Sequence, residues 1–220
     1  MPSRTALIAG ATGLVGSHAL DLLLARPEYD KVIALVRRPL DRKNDKLDVG
    51  VVDFDHLEDS AQGLLADDVY VCLGTTIKVA GSQEKFRKVD HDYAVSVAEV
   101  AKKRGATRLA LVSSVGASAS ASSFYLRVKG ETEKDLGALG YATFTIARPS
   151  FLVGDRKEHR PGEAAGIAVA RALSFTLLGG LRVYKPIEAR AVAAALVRAT
   201  LDGEPGTRVL SFAELTALSA

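Results

Sequence analysis

The chain has 220 residues, of which 48% are hydrophobic and 25% charged, and its formal net charge is +3. This composition excludes collagen-like, disordered and coiled-coil proteins and is typical of one globular domain. The small excess of basic residues is dispersed along the chain, so no nucleic-acid partner is predicted. A single cysteine excludes an intrachain disulfide and a cysteine zinc cluster.

The apolar segments predict neither a signal peptide nor a membrane span. The first apolar run stops at Gly10, and the longest later stretch, residues 166–181, is interrupted by Arg171. A bilayer span needs about 20 apolar residues. We therefore predict a cytoplasmic protein with no membrane span.

Strand-like and helix-like segments alternate from the start of the chain. Short apolar runs predict buried parallel strands at residues 5–9, 31–36, 50–54, 69–73, 108–112 and 141–147. Apolar residues at helical spacing predict helices at residues 14–25, 86–104 and 124–139. This alternation predicts an α/β fold of Rossmann type, a doubly wound parallel sheet with helices on both faces.

The pattern loosens after about residue 150, where glycine and proline pairs surround one predicted helix, residues 187–201. We interpret residues 1–220 as a single domain in which residues 151–220 form a small cap over the carboxyl edge of the sheet. The alanine-rich helix is expected to pack against the core. A dimer face, and hence a homodimer, is the alternative.

A glycine-rich turn joins the first predicted strand to the first predicted helix. Gly10, Gly13 and Gly16 have the spacing G-x-x-G-x-x-G, which differs from the usual G-x-G-x-x-G. Glycine lets backbone N–H groups approach a pyrophosphate, and the helix N-terminus adds partial positive charge. We predict a dinucleotide site here, with a turn that binds no ligand as the alternative.

The ends of the next strands indicate which dinucleotide binds. An acidic residue after the second strand would favour NAD, but Arg37 and Arg38 stand there. Guanidinium groups suit a 2′-phosphate, so NADP(H) is the preferred cofactor, with NAD(H) as the other option and a solvated basic loop as the alternative. Asp53 is expected to accept from the adenine amino group, and Gly74 to allow close approach to a ribose.

Tyr125 and Lys129 are four residues apart on a predicted helix and therefore share a face. Reduction of a carbonyl needs a proton donor, and a free tyrosine, with a pKa near ~10, is a weak one until that value moves toward ~7. An ammonium about 4 Å away supplies roughly the 4 kcal/mol required. We predict that Tyr125 is the acid/base, and that Ser113 or Ser114 orients the carbonyl. A surface pair is the alternative.

Together these motifs resemble the short-chain dehydrogenase/reductase superfamily in its atypical or extended branch. The similarity is greatest to the Tat-interacting-protein (tumour-suppressor oxidoreductase) branch and its bacterial relatives, over roughly residues 5–165. The most specific blocks are residues 72–76, 89–93, 125–131 and 155–163. The resemblance implies NADP(H) binding and a Ser–Tyr–Lys site, in which Ser114 matches the catalytic serine better than Ser113. Val89 and Asp90 replace the asparagine that classical members use for proton relay.

The resemblance also implies which residues hold the coenzyme. Gly10, Gly13 and Gly16 would bind the pyrophosphate, Arg37 the 2′-phosphate and Lys129 the nicotinamide ribose. Other positions would line the glycine turn, flank adenine, line a ribose or close over the nicotinamide: Thr12, Leu14, Val15, Asp53, Phe54, Leu73, Gly74, Thr75, Pro149, Phe151 and Leu152.

Several other titratable side chains are expected to be structural, whereas the charged block 155–161 could contact a polar substrate or form an internally salt-bridged loop. Cys72 lies inside an apolar strand, which is typical of an inert buried thiol. Asp90, Asp92 and Glu99 are expected on the first turn and outer face of a helix. The four histidines lack metal-ligand spacing, so no metal site is predicted.

Two hypotheses for the function follow. The first is an NADPH-dependent reductase of a small carbonyl substrate, with a nucleotide-sugar epimerase as a variant for which a cap of about 70 residues is small. The second is a regulatory protein that binds NADP(H) without physiological turnover, because fold alone does not establish activity. A screen of carbonyl compounds distinguishes the two.

Overall fold

The computed structural model describes residues 3–60, 64–154 and 183–219. Its strands are β1 (Arg4–Ala9), β2 (Tyr29–Val36), β3 (Leu47–Val51), β4 (Asp68–Val71), β5 (Arg108–Val112), β6 (Thr143–Ala147), β7 (Leu152–Val153), β8 (Ile187–Glu188) and β9 (Gly206–Leu210). Seven of them form one parallel sheet in the order β3-β2-β1-β4-β5-β6-β9. The other two, β7 and β8, pair separately.

Helices cover both faces of this sheet. They are α1 (Leu14–Ala25), α2 (Leu57–Ser60), α3 (Ile77–Ala80), α4 (Gln83–Arg87), α5 (Tyr93–Lys103), α6 (Phe124–Ala138), α7 (Ala189–Asp202) and α8 (Phe212–Leu218). A π-helical turn, Lys88–Asp92, joins α4 to α5. Among the described residues, no helix combines the length and the apolar composition that a membrane crossing requires.

Burial on both faces explains the apolar runs of the strands. In β1, Ala6 and Ile8 pack in the layer that contains α1 and α7, whereas Leu7 and Ala9 pack in the layer that contains α5. Successive side chains of a strand point to opposite faces, so a strand covered on both sides must be apolar throughout. The strand order reverses between β1 and β4, and this reversal opens a crevice at the carboxyl ends of these strands.

The predicted Rossmann-type sheet is confirmed, with two local differences. The predicted third strand, residues 50–54, ends too late, because β3 stops at Val51 and a 3₁₀ turn begins at Phe54, capped by the side chain of Asp53. The predicted helix over residues 86–104 is interrupted by the π-helical turn. The bounds predicted for α1 and β5 agree with the structure.

The described residues after β6 form two parts, a small separate sheet and an extension of the main sheet. The small β7–β8 sheet stands apart from the main sheet, and a Cβ on Gly154 would lie 3.0 Å from Leu14 beside the glycine turn. In contrast, α7 packs on α1, and β9 pairs with β6. The prediction of a cap is therefore wrong for residues 189–219, which extend the sheet and its helical layer. The charged block 155–163 lies outside the described residues.

Candidate active site

The turn between β1 and α1 has no room for a side chain at two of its glycines. Gly10 has a φ of +90°, and a Cβ there would lie 2.4 Å from the carbonyl oxygen of Cys72. A Cβ on Gly16 would lie 2.0 Å from the carbonyl oxygen of Gly10. Gly13 is exposed and precedes α1, and no described side chain caps the first N–H groups of this helix. Such a helix end can bind an anion.

Gly16→Ala should destabilise the protein by about 1–3 kcal/mol, because the new methyl group would force α1 away from β1. The matched control is Gly137→Ala near the end of α6, where a Cβ meets no atom within 4 Å. That substitution should stabilise the protein by about 0.5–1 kcal/mol, since alanine favours a helix. Urea unfolding of both variants measures the two free energies. A shift of the same sign in both would contradict the close contact at Gly16.

The three other residues assigned to this turn differ in what they can offer a ligand. Thr12 is exposed, and Leu14 is half-buried beneath Gly154. Val15 is buried in the core at 5% exposure. The side chain of Val15 therefore packs in the core, while its backbone lies in the turn.

The arginines after β2 are unpaired within the described part of the chain. Arg37 and Arg38 are both exposed, and neither makes a hydrogen bond or ion pair with a described residue. The last residues of β2 pair with β1, since Leu35 lies opposite Ala9. The two guanidinium groups therefore follow the strand that borders the glycine turn, and they are available to an anion.

Asp53 and Phe54, predicted to flank adenine, face different surroundings. Asp53 is exposed, and its Oδ1 accepts a hydrogen bond of 2.9 Å from the backbone N–H of Asp55. Phe54 is 6% exposed, and its ring packs against that of Tyr93 with centroids 5.3 Å apart. The Phe54 ring therefore packs in the core, and the position of Asp53 and Phe54 beside adenine stays a prediction.

The end of β4 brings the backbone to the buried charges of the site. A Cβ on Gly74 would lie 3.7 Å from Oδ1 of Asp90 and 4.0 Å from Nζ of Lys129. The N–H of Thr75 donates to Oδ2 of Asp90 at 2.8 Å. Leu73 is half-buried and Gly74 exposed. The chain therefore passes directly over a lysine–aspartate pair as it leaves the sheet.

Cys72, the residue before this segment, is fully inside the protein. Burial raises the pKa of its thiol to about 12. A thiol in this state is protonated at neutral pH and does not act as a nucleophile. The structure therefore agrees with the interpretation of Cys72 as an inert buried side chain.

The two serines at the end of β5 have different hydrogen-bond partners. Ser113 is buried and donates to Oε1 of Glu133 at 2.5 Å. Glu133 also accepts from Nε of Arg148 at 3.0 Å, and this hydrogen bond raises the pKa of the Arg148 guanidinium. Ser114 is half-buried, and its hydroxyl makes one long hydrogen bond among the described residues, 3.3 Å to the carbonyl of Val115. The hydroxyl of Ser114 is therefore the one available to a ligand.

Tyr125 and Lys129 lie one turn apart on α6. Tyr125 is 36% exposed, and its ring packs against Phe86 with centroids 5.7 Å apart. Lys129 is 5% exposed, and its Nζ lies 2.8 Å from Oδ1 of Asp90. Burial lowers the pKa of Lys129, but Asp90, Tyr125 and Glu133 together outweigh burial, so the pKa is raised. The amine is therefore a charged, buried group within electrostatic reach of the phenol.

The segment after β6 passes beside the serines. Pro149 is buried, and its carbonyl accepts from the N–H of Val115 at 2.9 Å. The carbonyl of Phe151 accepts from the N–H of Ile187, while the Phe151 ring is 64% exposed. Leu152 is half-buried in β7. This segment therefore links the end of β5 to the small β7–β8 sheet.

Comparison with known proteins identifies the family. A family model described as NAD(P)H-binding matches residues 10–200. The chain belongs to this NAD(P)H-binding family. It is 38% identical over 167 residues to the protein HTATIP2 of Rattus norvegicus, which covers 74% of this chain and 69% of that relative. It is 35% identical over 218 residues to FMP52, mitochondrial, of Eremothecium gossypii, which covers 97% of this chain and 96% of that relative.

A solved structure similar to this NAD(P)H-binding chain is MoeE5 in complex with UDP-glucose and NAD. The TM-score is 0.70 at 18% identity, covering 98% of this chain and 81% of that one. Because the sequence identity is 18%, this structural similarity shows that the two chains share the Rossmann-type fold and nothing more specific. Together with the two relatives, it confirms the resemblance to the atypical short-chain dehydrogenase/reductases.

The relatives correct the predicted location of this NAD(P)H-binding chain. The FMP52 relatives from Eremothecium gossypii, Candida albicans and Saccharomyces cerevisiae are each named as mitochondrial proteins. The prediction of a cytoplasmic protein is therefore contradicted. That prediction relied on the absence of a recognisable apolar leader. An apolar leader indicates secretion, so its absence gives no information on other compartments.

The acidic partners of the predicted site, Asp90 and Glu133, were not predicted from the sequence. Asp90 was expected on an outer helix face, but it is 2% exposed and paired with Lys129. Its position four residues after the buried Phe86 was a signal that it belongs to the inner face. Glu133 follows Lys129 by four residues, so helical spacing could have identified it as well.

Proposed function

We propose that the protein is an NADP(H)-dependent oxidoreductase that reduces a small carbonyl compound, with Tyr125 as the acid/base. One observation carries this proposal: a Cβ on Gly74 would lie 4.0 Å from Nζ of Lys129. This short distance shows that α6, which carries Tyr125 and Lys129, lies beside the end of β4. The glycine turn after β1 adjoins the same place, where the strand order reverses and Rossmann sheets bind dinucleotides.

The residues around this crevice fit a dinucleotide. Gly10 and Gly16 let the turn pack closely on the backbone of Cys72 and of Gly10 itself, and the exposed Gly13 stands at the start of α1, whose first N–H groups suit a pyrophosphate. The guanidinium of Arg37, which is exposed and pairs with no described residue, suits a 2′-phosphate. Lys129 and the backbone beside Thr75 lie together at the end of β4, and their N–H donors suit the hydroxyls of a ribose.

When bound, the nicotinamide coenzyme would supply the hydride. Tyr125 donates its phenolic proton to the carbonyl oxygen as negative charge develops there. The Ser114 hydroxyl makes a long hydrogen bond to the Val115 carbonyl, so it can also donate to the substrate. It orients the carbonyl oxygen that receives the proton. Lys129 stabilises the phenolate that remains. Because Asp90 pairs with Lys129, this stabilisation is smaller than the isolated ammonium of the sequence argument would give.

Calorimetric titration with NADPH and NADH, followed by a screen of aldehydes, ketones and quinones, tests the proposal. We expect tighter binding of NADPH and oxidation of this coenzyme by at least one carbonyl class. Binding of neither coenzyme would contradict the proposal. Tight binding without turnover across the screen would favour the regulatory alternative, in which the chain responds to coenzyme occupancy.

Arg37→Asp should weaken NADPH binding by about 10- to 100-fold and change NADH binding little, since a charge-assisted contact to the 2′-phosphate contributes about 1.5–3 kcal/mol. Lys43→Asp is the matched control, because Lys43 is an exposed cation in the loop after β2 and undergoes the same change of charge. Dissociation constants from calorimetry measure both effects. An unchanged NADPH preference in Arg37→Asp would exclude Arg37 as the 2′-phosphate ligand.

A further inference from the structure

The π-helical turn between α4 and α5 places a carboxylate inside the protein. Asp90 lies in this turn and is 2% exposed. A buried carboxylate is costly unless charges and hydrogen bonds compensate it. Turns of this kind add one residue to a helix and are frequent at functional sites. The position of Asp90 therefore requires an explanation in terms of what its oxygens contact.

The two oxygens of Asp90 contact two different parts of the proposed coenzyme site. Oδ1 lies 2.8 Å from Nζ of Lys129, and Oδ2 accepts the N–H of Thr75 at 2.8 Å. Oδ1 accepts no well-aligned hydrogen bond from the described residues, although it is paired by charge. The ammonium of Lys129 is therefore held in place while its N–H donors can still be directed at another acceptor.

The backbone of the turn is fixed to the same helix that carries Lys129. The hydroxyl of Thr132 on α6 lies 2.8 Å from the carbonyl of Val128 and 3.2 Å from the carbonyl of Asp90, and its single proton is shared between these two acceptors. Thr132 is fully buried. This contact holds Asp90 against α6, so the carboxylate, the lysine and the end of β4 form one unit.

We propose that Asp90 is a positioning residue that holds Lys129 and the Thr75 backbone together as the binding site for the nicotinamide-side ribose. The proposal rests on the proposed coenzyme function. Asp90 acts through Lys129 and Thr75 and does not itself touch the coenzyme. This role gives a reason for the buried ion pair between Asp90 and Lys129, since hydrophobic residues of similar volume could replace such a pair without loss of stability.

Calorimetry with two ligands tests this role. NADPH contains both halves of the coenzyme, whereas adenosine 2′,5′-bisphosphate contains only the half that would reach the glycine turn and Arg37. Asp90→Asn should weaken NADPH binding by about 10- to 100-fold and leave binding of the bisphosphate unchanged. Asp92→Asn, an exposed carboxylate in the same turn, is the control and should alter neither.

Equal changes for both ligands, or no change for either, would overturn the role of Asp90. If Asp90→Asn does not fold, Thr132→Val gives the answer, because it loosens the turn and leaves the carboxylate in place. A selective loss of NADPH affinity of a few-fold in Thr132→Val supports the role, and unaltered affinity overturns it. Wild-type protein that binds neither NADPH nor NADH would instead refute the proposed function.

Discussion

Replacing Lys129 with methionine is expected to destabilise the coenzyme-free protein by about 3–5 kcal/mol. The side chains of Lys129 and Asp90 are 7% and 1% exposed, so removal of the ammonium leaves a carboxylate without a counter-charge and away from water. Among the described residues, the N–H of Thr75 would be the one remaining donor to this carboxylate. The methionine itself fits the space well enough that lost packing is a minor part of the effect.

A double-mutant cycle separates the ion pair from other effects of the substitution. Asp90→Asn combined with Lys129→Met removes both charges, so this variant should lose less stability than the sum of the two single variants. Urea unfolding without coenzyme measures all three free energies. Lys103→Met is the control, because Lys103 and its partner Glu58 are 66% and 65% exposed, and the substitution should have no measurable effect. Equal effects of Lys129→Met and Lys103→Met would contradict a buried pair.

The parts of the fold that were predictable from the sequence are those set by local rules. The bounds of α1 and β5 agree with the structure because glycine, proline or serine closes each apolar segment. The glycine turn was equally readable, since its constraints act within a few residues. The close approach of Gly16 to the backbone of Gly10 requires a glycine at position 16, and this requirement is visible in the sequence.

The edges of the sheet were harder to predict for a physical reason. The strand β9 is half-exposed and contains Arg208 between Thr207 and Val209, so it lacks the apolar run of a central strand. β3 lies at the opposite edge and is likewise partly exposed, with Asp48 between Leu47 and Val49. An edge strand is covered on fewer sides, so its composition carries less information. This is why the end of the chain was interpreted as a cap.

The charges of the site could be predicted only in part because their partners are distant in sequence. Lys129 was identified from its spacing to Tyr125, but its counter-charge is Asp90, on another helix. Likewise Ser113 and Arg148 meet at Glu133 only because β5 and β6 end side by side. Such pairs depend on the order of the strands in the sheet. The sequence alone does not show which distant residues this order brings together.

Tyr125→Phe is expected to lower turnover of a carbonyl substrate by about 100- to 10,000-fold, the range contributed by a positioned general acid. The phenylalanine ring can keep the packing against Phe86, so the protein should remain folded. Coenzyme affinity should change little, because the phenol acts on the substrate. The measurement is kcat with the best carbonyl found in the screen, alongside the dissociation constant for NADPH.

Tyr184→Phe is the matched control, since Tyr184 is 46% exposed and lies outside the proposed acid/base pair. It should retain wild-type turnover. Wild-type activity in Tyr125→Phe would mean that another group or water supplies the proton, and the role of Tyr125 would have to be abandoned even with a carbonyl substrate in hand. A loss of both turnover and coenzyme affinity would place the phenol in the coenzyme site itself, because a proton donor that acts only on the substrate leaves coenzyme binding intact.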